Sequence, residues 1–485
     1  MIESLGIKNA ATPAMATGSS PGSSVAGEPL ADARTLRRVI FAASLGTLFE
    51  WYDFYLYGSL AVFFGGLFFP QGNDTAQLLA SLATFGAGFG VRPLGALVFG
   101  HIGDLVGRKY TFLITMATMG MGTALIGLLP TYASWGLGAT VSLVLLRLAQ
   151  GLALGGEYGG AATYVAEHVP DNRRGYYTSF IQTTATLGFF LSMGIIGIMR
   201  VTVGEAAFKA WGWRVPFLLS FVLLAVSLYV RLKMSESPLF TKMKAAGKTS
   251  KNPLKESFTN PVNLKYVLIA LFGATAGQGV VWYTGQFYAL TFLQAALHID
   301  WKTAYILVSI ALAVTSPLFI VFGRLSDRIG RKKIILAGCL LGALTYLPIF
   351  MGLKYFSNPD GLPKADPAQI NYVAMVLLLS LQMVYVCLVY GPIAAFLVEL
   401  FPTKIRYTSM SLPYHLGNGW FGGFLPLIAT AVTASAWAKG SFGAGAIYTG
   451  LAYPIGVCIV TLIVGGLFIR ETKGHRIDTD IVGET

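Results

Sequence analysis

Apolar stretches recur along the whole chain and are separated by short polar segments. Each stretch reaches or exceeds the roughly 20 residues that a helix needs to cross the hydrocarbon core of a bilayer. Because lipid offers no partner to backbone N–H and C=O groups, such spans must be helical. The pattern predicts an all-α membrane protein with twelve spans, at about 39–66, 78–102, 111–130, 140–166, 176–199, 213–232, 264–293, 304–324, 333–353, 371–399, 408–434 and 446–469.

Composition and charge agree with a lipid environment. Only 12% of the residues are charged, against about 25% in an ordinary soluble domain. The net charge of +13 is unevenly placed, since 26 of the 35 Lys and Arg residues lie in the N-terminal arm, the loops after even-numbered spans and the tail. This asymmetry predicts that both termini are cytoplasmic in a multi-pass inner-membrane protein. It explains the basic charge without nucleic-acid binding, which we do not expect.

One short motif is written twice in the chain. GDLVGRKY at 103–110 returns as SDRIGRKK at 326–333, with a further Gly four residues before each Asp. A second pattern, Glu-x2-Pro-x3-Arg, occurs at 167–174 and again at 399–406. The two repeats have offsets of 223 and 232 positions, so the chain consists of two copies of one half. Repeated halves in a membrane protein are typical of secondary transporters.

The repeated positions fall where one span ends and the next begins, on the predicted cytoplasmic side. Glycine permits tight turns and close helix approach, and Asp can accept from a helix N-terminus or pair with Arg. We therefore predict a gate that closes in one state and opens in another, although the basic residues alone would also serve as topology markers. The predicted gate residues are Gly100, Asp104, Gly107, Arg108, Lys109, Glu167, Arg174, Gly323, Asp327, Gly330, Arg331, Lys332, Glu399 and Arg406.

The predicted organisation is two six-helix bundles joined by a cytoplasmic loop. Residues 1–30 are rich in Ala, Ser, Gly and Pro without an apolar core, which is typical of a disordered arm and not of a signal peptide. The predicted boundaries are 1–36 for the arm, 37–232 for the first bundle, 233–263 for the central loop, 264–470 for the second bundle and 471–485 for the tail.

Several further motifs make the chain similar to a known family. The twelve spans, the 6+6 division and the doubled motif resemble the major facilitator superfamily. Within it, the chain resembles the metabolite:proton symporters from about residue 38 to 472, with more specific matches in the first half than in the second. The matching segments are FEWYDFYLYG at 49–58, RPLG at 92–95, RLAQGLALGGE at 147–157, WGWRVPF at 211–217, ESP at 236–238 and ELFP at 399–402. The resemblance implies proton-coupled uptake, in a family that carries 2-oxoglutarate, citrate, shikimate, and proline or betaine.

Span 1 contains two carboxyl groups on one helix face. Glu50 and Asp53 are three residues apart, and an ionisable group inside a span is costly enough to be a functional candidate. Arg147 in span 4 is the expected ionic partner of Asp53, and the resemblance implies that this acid and this Arg couple transport to the proton. A static pair that fixes span 1 against span 4 is the alternative. Glu157, seven residues after Gln150, is a candidate second proton site or a partner of Arg92.

Arg92 in span 2 is the other cation inside a span. It precedes Asp104 by twelve residues, about 18 Å along a helix, which predicts a position near mid-membrane. A guanidinium there can hold a carboxylate with two hydrogen bonds. An internal salt bridge to Glu50, Asp53 or Glu157 is equally compatible with the sequence.

The second half supplies uncharged polar and aromatic candidates. Gln278, Trp282 and Gln286 are spaced by four residues and therefore share one face of span 7. His415 could contact substrate or be a packing residue. The predicted substrate-binding set is Arg92, Arg147, Gln150, Gln278, Trp282, Gln286, Tyr390, His415 and Asn418.

These features predict a proton-coupled symporter that imports a small mono-, di- or tricarboxylate by alternating access. Two alternatives stay open, a carrier of a zwitterion such as proline or betaine and a membrane sensor without transport. The chain has no Gly-x4-Gly-Lys-Ser/Thr phosphate loop and no His-Glu-x2-His motif, so we expect neither an ATP-driven pump nor an enzyme. We expect no cofactor or metal, with H+ as the coupling ion, and a carrier that functions as a monomer.

Overall fold

The computed structural model describes residues 33–105, 108–156, 158–232, 253–402, 405–475 and 477, and all regular elements in these ranges are helical. The predicted spans correspond to single or broken helices. The first six are Ala33–Ser59 with Ala61–Phe68; Asp74–Gly90 with Arg92–Leu105; Arg108–Leu128; Leu137–Gly155 with Tyr158–Ala166; Arg174–Val203; and Glu205–Ala207, Phe208–Gly212, Arg214–Leu218 and Ser220–Leu232. We keep the names span 1 to span 12 for these elements.

The second six spans follow a short helix at Pro253–Thr259. They are Pro261–Ala270 continuing through Leu271–Thr275, Ala276–Tyr283, Thr284–Tyr288, Ala289–Thr291 and Phe292–Ala296; Trp301–Thr315 with Leu318–Ile329; Arg331–Tyr355; Tyr372–Tyr390 with Ile393–Leu400; Arg406–Leu416, Gly417–Gly423 and Leu425–Ala434; and Ala436–Phe442, Gly443–Leu451 and Ala452–Phe468. Spans 7 and 11 contain π-helical turns, a geometry that is frequent at functional sites.

Hydropathy alone identifies most of these spans. Within the described ranges, eight helices are long and apolar enough to cross a membrane, and span 6 becomes a ninth if its segments, bent by 44°, count as one. Spans 1, 3 and 11 do not meet this criterion of length and hydropathy, and they bring the number of spans to twelve. Span 1 is less apolar because it carries Glu50 and Asp53, while span 11 is broken by the glycine-rich turn Gly417–Gly423. The twelve-helix architecture that the sequence predicts is confirmed, whereas the proposed domain boundaries stay a prediction.

Glycines set how closely the helices of the first half approach one another. A Cβ on Gly151 of span 4 would overlap the carbonyl oxygen of Gly88 in span 2, and one on Gly155 would overlap the carbonyl oxygen of Arg92. Spans 2 and 4 therefore touch backbone to backbone, as small residues at fixed spacing allow. This contact holds the backbone of Arg92 against span 4.

The two halves meet along a few helices. Span 5 packs against spans 8 and 10, span 2 packs against span 11, and the second segment of span 4 also contacts span 11. Gly330 separates spans 8 and 9 with φ of +108°, a conformation that only glycine adopts without strain. We call the end of the molecule that carries Gly330 the motif end, and the other the opposite end.

Candidate transport pathway and gate

The two copies of the Glu-x2-Pro-x3-Arg pattern pair crosswise between the halves. Arg174 of span 5 lies 2.9 Å from the carboxylate of Glu399 in span 10. Arg406 of span 11 lies 3.6 Å from Glu167 at the end of span 4. All four side chains are fully excluded from solvent. The sequence repeat thus becomes two reciprocal ion pairs that link the bundles at the motif end.

Glu399 is the centre of a larger buried cluster. Arg331, from the second copy of the loop motif, donates to both of its oxygens at 2.9 and 3.2 Å. The hydroxyl of Thr472 donates to the same carboxylate at 2.8 Å. Because Arg174 comes from the first half and Arg331 from the second, one carboxylate holds cations from both bundles.

Asp327, the acid of the same loop motif, caps a helix of the other half. Its two oxygens accept the backbone N–H groups of Gly175 and Tyr176, each at 2.8 Å. These groups belong to the first turn of span 5, where N–H groups lack partners in the helix and the helix dipole favours an anion. A Cβ on Gly323 would meet the carbonyl oxygen of Gly175 at 2.6 Å, so that motif glycine permits the close approach.

The C-terminal tail also contributes to the motif end, which the sequence analysis missed. The carboxylate of Glu471 accepts the backbone N–H groups of Arg331 and Lys332 at the start of span 9. The gate role of Lys332 stays a prediction; its ammonium donates to the carbonyls of Gly466 and Ile469 in its own half. Lys332 therefore holds the end of span 12 and does not cross between bundles.

The first copy of the loop motif is described only in part. Gly107 and Glu157 lie outside the described residues, and so do the side chains of Asp104, Arg108 and Lys109. Gly100 is described, and a Cβ there would meet the backbone of Thr408 in span 11 at 3.5 Å. Span 2 thus approaches the second half at this glycine as span 8 approaches the first half at Gly323.

Contacts between the halves close the opposite end as well. The hydroxyl of Tyr305 in span 8 donates to the carbonyl of Ser59 in span 1 at 2.5 Å. Nearer the centre, the amide of Gln286 in span 7 donates to the hydroxyl of Thr186 in span 5 at 3.2 Å. The two halves are therefore joined at both ends of the molecule in this conformation.

The predicted ion pair between Asp53 and Arg147 is absent from the described part of the chain. Asp53 is buried and accepts a hydrogen bond from Ser220 of span 6 at 2.5 Å. Arg147 instead donates to the backbone carbonyl of Phe54 at 3.3 Å and lies 4.1 Å from the centroid of that ring. The reason is helical phase, because neighbouring residues point about 100° apart on a helix of 3.6 residues per turn. Asp53 therefore faces span 6 while Phe54 faces span 4.

Gln150 also differs from the expectation. It accepts from Arg147 at 2.8 Å and donates to Thr123 of span 3 at 2.6 Å. Both ends of its amide are thus used inside the first half, away from the second bundle. In this conformation Gln150 positions Arg147 and does not line a surface between the halves.

Arg92 is a buried cation at the start of the second segment of span 2. Its side chain is fully buried, and none of its guanidinium nitrogens has a hydrogen-bond partner within the described ranges. It lies 5.4 Å from the ring of Trp51 and 5.1 Å from that of Phe89. Of the alternatives that the sequence left open, the internal salt bridges to Glu50 or Asp53 do not form in this conformation, while Glu157 lies outside the description.

Aromatic rings from both halves meet beside Arg92. Trp51 stacks on Tyr55 with centroids 5.0 Å apart, and Tyr55 stacks on Trp282 of span 7 at 5.3 Å. Close by, the hydroxyls of Tyr390 and Tyr414 share a hydrogen bond of 2.7 Å. The stacked rings form a continuous apolar surface across the interface of the halves, next to the guanidinium of Arg92.

Two of the polar residues predicted in the second half are hydrogen-bonded to each other. Gln278 and Asn418 exchange hydrogen bonds at 3.0 and 2.8 Å between spans 7 and 11. His415 is fully buried, with its ring 5.1 Å from that of Tyr414. Trp282, Gln286 and Tyr390 contact the first half directly.

Comparison with known proteins agrees with this arrangement. The family model for the Major Facilitator Superfamily matches residues 43–412. The inner membrane metabolite transport protein YhjE of Escherichia coli is 38% identical over 88% of this chain and 93% of its own length. The alpha-ketoglutarate permease of Escherichia coli is 32% identical over 92% and 98%, and its proline/betaine transporter is 34% identical over 91% and 84%.

Solved structures support the fold. The D-xylose-proton symporter matches with a TM-score of 0.65 at 20% identity, over 90% of this chain and 99% of that one. The xylose symporter XylE bound to 6-bromo-6-deoxy-D-glucose matches with a TM-score of 0.69 at 17% identity, over 93% and 99%. The chain therefore belongs to the major facilitator superfamily, as a multi-pass membrane transporter of small molecules and not an enzyme.

Proposed function

We propose that the chain is a proton-coupled symporter that imports a small organic acid across the inner membrane by alternating access. The observation that carries the proposal is the buried guanidinium of Arg92, which has no hydrogen-bond partner among the described residues. A buried charge without a partner is costly. A carboxylate would remove that cost by accepting two parallel N–H bonds.

The surroundings of Arg92 indicate how a substrate would lie. Arg147, the other predicted substrate-binding cation, uses one nitrogen, Nη1, on the carbonyl of Phe54 and on Gln150, while its Nε and Nη2 have no hydrogen-bond partner among the described residues. The stacked rings of Trp51, Tyr55 and Trp282 offer apolar area beside Arg92. This arrangement favours an acid with a carboxylate at Arg92 and its carbon skeleton against the rings.

Asp53 is the proposed proton-coupling residue. It is buried, and Ser220 can serve the protonated and the ionised carboxyl equally, because a hydroxyl both donates and accepts. Asp53 is also adjacent in sequence to Phe54, whose carbonyl binds Arg147. A change of charge on Asp53 would therefore act on the same segment of span 1 that holds Arg147, with Glu50 one turn before it.

A zwitterion such as proline or betaine is the second candidate. One observation favours it, because the stacked aromatic rings could bind a quaternary ammonium by cation–π contact while Arg92 held the carboxylate. Relatives named for each substrate type are about equally similar to this chain. The two candidates differ in whether a positive charge on the substrate is needed.

The test is uptake into proteoliposomes of a panel of 2-oxoglutarate, citrate, shikimate, benzoate, proline and betaine, with and without an inward pH gradient. We expect accumulation of an acid that the gradient stimulates and a protonophore abolishes. Arg92→Gln should weaken substrate binding by about 100-fold, while Lys439→Gln, which removes an exposed cation in span 12, serves as the matched control. Uptake without any effect of the gradient would refute coupling, and uptake of betaine alone would favour the second candidate. Folded protein that carries no panel member would leave the sensor alternative.

The same liposomes test orientation and subunit state. We propose that the motif end faces the cytoplasm, because the Lys and Arg residues concentrate in its loops and tail, and that one chain is sufficient for transport. A thiol reagent that cannot cross the membrane should label Asn172→Cys at the motif end only from the cytoplasmic side. Mixing wild-type with inactive chains should lower activity in proportion to the inactive fraction, whereas a steeper loss would indicate an obligate oligomer.

A further inference from the structure

A groove of about 610 Å³ lies between span 5 of the first half and span 8 of the second, toward the opposite end. Its walls are almost entirely apolar, and Ile198 and Ile310 on the two sides are 64% and 43% exposed. In a membrane protein such a surface faces lipid. We call this feature the lateral groove.

Two glycines keep the lateral groove open. Gly194 and Gly197 of span 5 line it, and a Cβ built on either would meet no atom within 4 Å. This differs from Gly151, where the same atom would overlap the backbone of span 2. Gly194 and Gly197 therefore do not serve helix packing, and the space that their missing side chains leave is part of the groove.

The dimensions of the lateral groove fit one leaflet of a bilayer. Along span 8 its lining runs from Trp301 to Ala313, and along span 5 from Phe190 to Thr202. At 1.5 Å per residue each of these is about 18 Å. Half of the roughly 30 Å hydrocarbon core is about 15 Å. A single lipid chain that enters from the membrane surface would follow the groove over its whole length.

An exposed lysine at the end of the lateral groove indicates which kind of lipid headgroup would bind there. Lys302, in the first turn of span 8, is exposed and lines the groove. The neighbouring cation Arg200 is already paired with Glu205 at 2.5 Å and lies 3.9 Å from the ring of Trp301. Trp at this position is typical of the membrane–water interface. Lys302 is thus the lining cation that is placed to meet a phosphate.

We propose that the lateral groove binds one acyl chain of an anionic phospholipid, with its phosphate at Lys302. The groove joins the two halves, because Tyr305 lines it and also donates to the carbonyl of Ser59. An acyl chain in the groove would contact both bundles where they meet. Binding would therefore stabilise closure of the opposite end, so that the lipid acts as a regulator of the transport cycle.

Photo-crosslinking in nanodiscs tests the site without any transported substrate. The probe is a phosphatidylglycerol that carries a diazirine on one acyl chain, compared with the same chain on phosphatidylcholine. We expect labelled peptides from spans 5 and 8, several-fold more with phosphatidylglycerol. The Gly194→Leu/Gly197→Leu variant should lose at least about four-fifths of this labelling, while Gly456→Leu, an equally open glycine in span 12, should retain it. Lys302→Gln should retain labelling but lose the preference for phosphatidylglycerol.

Three outcomes would overturn the proposal. Wild-type labelling in the double leucine variant would show that the groove is not the binding site. Equal labelling by the two lipids would remove the preference for an anionic headgroup at Lys302, and with it the proposed class of lipid. Crosslinked dimers through spans 5 and 8 would show that a second copy of the chain covers the groove. If the double variant does not fold, Gly194→Leu alone and Lys302→Gln still decide the question.

Discussion

Asp327→Asn is the sharpest test of the gate, because the substitution preserves shape and removes only a charge. The carboxylate accepts two backbone N–H bonds from span 5 across the bundles and pairs with Arg331 in its own half at 2.7 Å. Asparagine keeps one acceptor oxygen. It therefore retains one neutral bond to span 5 and loses the other.

The expected magnitude follows from these bonds. A hydrogen bond to a charged group contributes about 1.5–3 kcal/mol and a neutral one about 0.5–1.5 kcal/mol. Losing one charged bond (about 2 kcal/mol) and weakening the other (about 1 kcal/mol) should disfavour closure of the motif end by about 3 kcal/mol. That free energy corresponds to a roughly 100-fold rise in the ratio of open to closed molecules, at about 1.4 kcal/mol per tenfold change. The pair between Arg174 and Glu399 remains, so the gate should still close in part of the population.

The assay is a pulsed electron–electron distance measurement between spin labels on Asn172→Cys and Arg328→Cys. Both positions are exposed at the motif end, one in each half, and the three native cysteines are buried. Asp366→Asn is the matched control, because that carboxylate also accepts a backbone N–H, from Ala368 at 2.9 Å, but in an exposed loop of one half. An unchanged distance distribution in Asp327→Asn, or an equal change in the control, would refute the reasoning.

Further predictions concern the proton site, the substrate site, the helix packing and the first loop motif. Asp53→Asn should abolish uphill uptake and spare substrate exchange in proteoliposomes; wild-type accumulation would remove it as the coupling residue. Arg92→Ala should weaken substrate binding by about 100-fold, the loss of roughly 3 kcal/mol of charged hydrogen bonds, and unchanged affinity by calorimetry would make it structural. Gly151→Ala should destabilise the protein by about 1–3 kcal/mol and lower its melting temperature in detergent, whereas Gly456→Ala should not. Asp104→Asn should slow turnover without a large loss of affinity, and normal rates would leave the motif as a topology marker.

The repeats in the sequence predict the gate residues but not their pairing. Glu167 and Arg174 are close in sequence, yet Arg174 pairs with Glu399 and Arg406 with Glu167. Each Glu ends one span and each Arg begins the next, with Pro170 or Pro402 between them. The two side chains of one copy therefore belong to different helices, and the related position in the other half is the nearer partner.

The proposed proton site shows where sequence reasoning fails. The phase of Asp53 relative to Phe54 decides which neighbouring helix each contacts, and motif matching carries no information on that angle. Ser220, the observed partner of Asp53, is a single hydroxyl in an apolar span and gives no sequence signal. Glu471 likewise resembles any charged residue of a tail, although its carboxylate caps span 9.

The two halves share one architecture but differ in chemistry. Inside the spans and away from the motif end, the sequence places carboxylates and guanidinium groups in the first half. There Asp53 lies on span 1, and Arg147 donates to the carbonyl of the next residue of that span, Phe54. At their shared interface the second half contributes rings and amides, such as Trp282 and Gln286. If the halves rock as rigid bundles, the proposed proton site and Arg92 move together while the rings of the second half move past them. Substrate bound to both halves would then link the protonation of the first bundle to the position of the second, which is the coupling that a symporter needs.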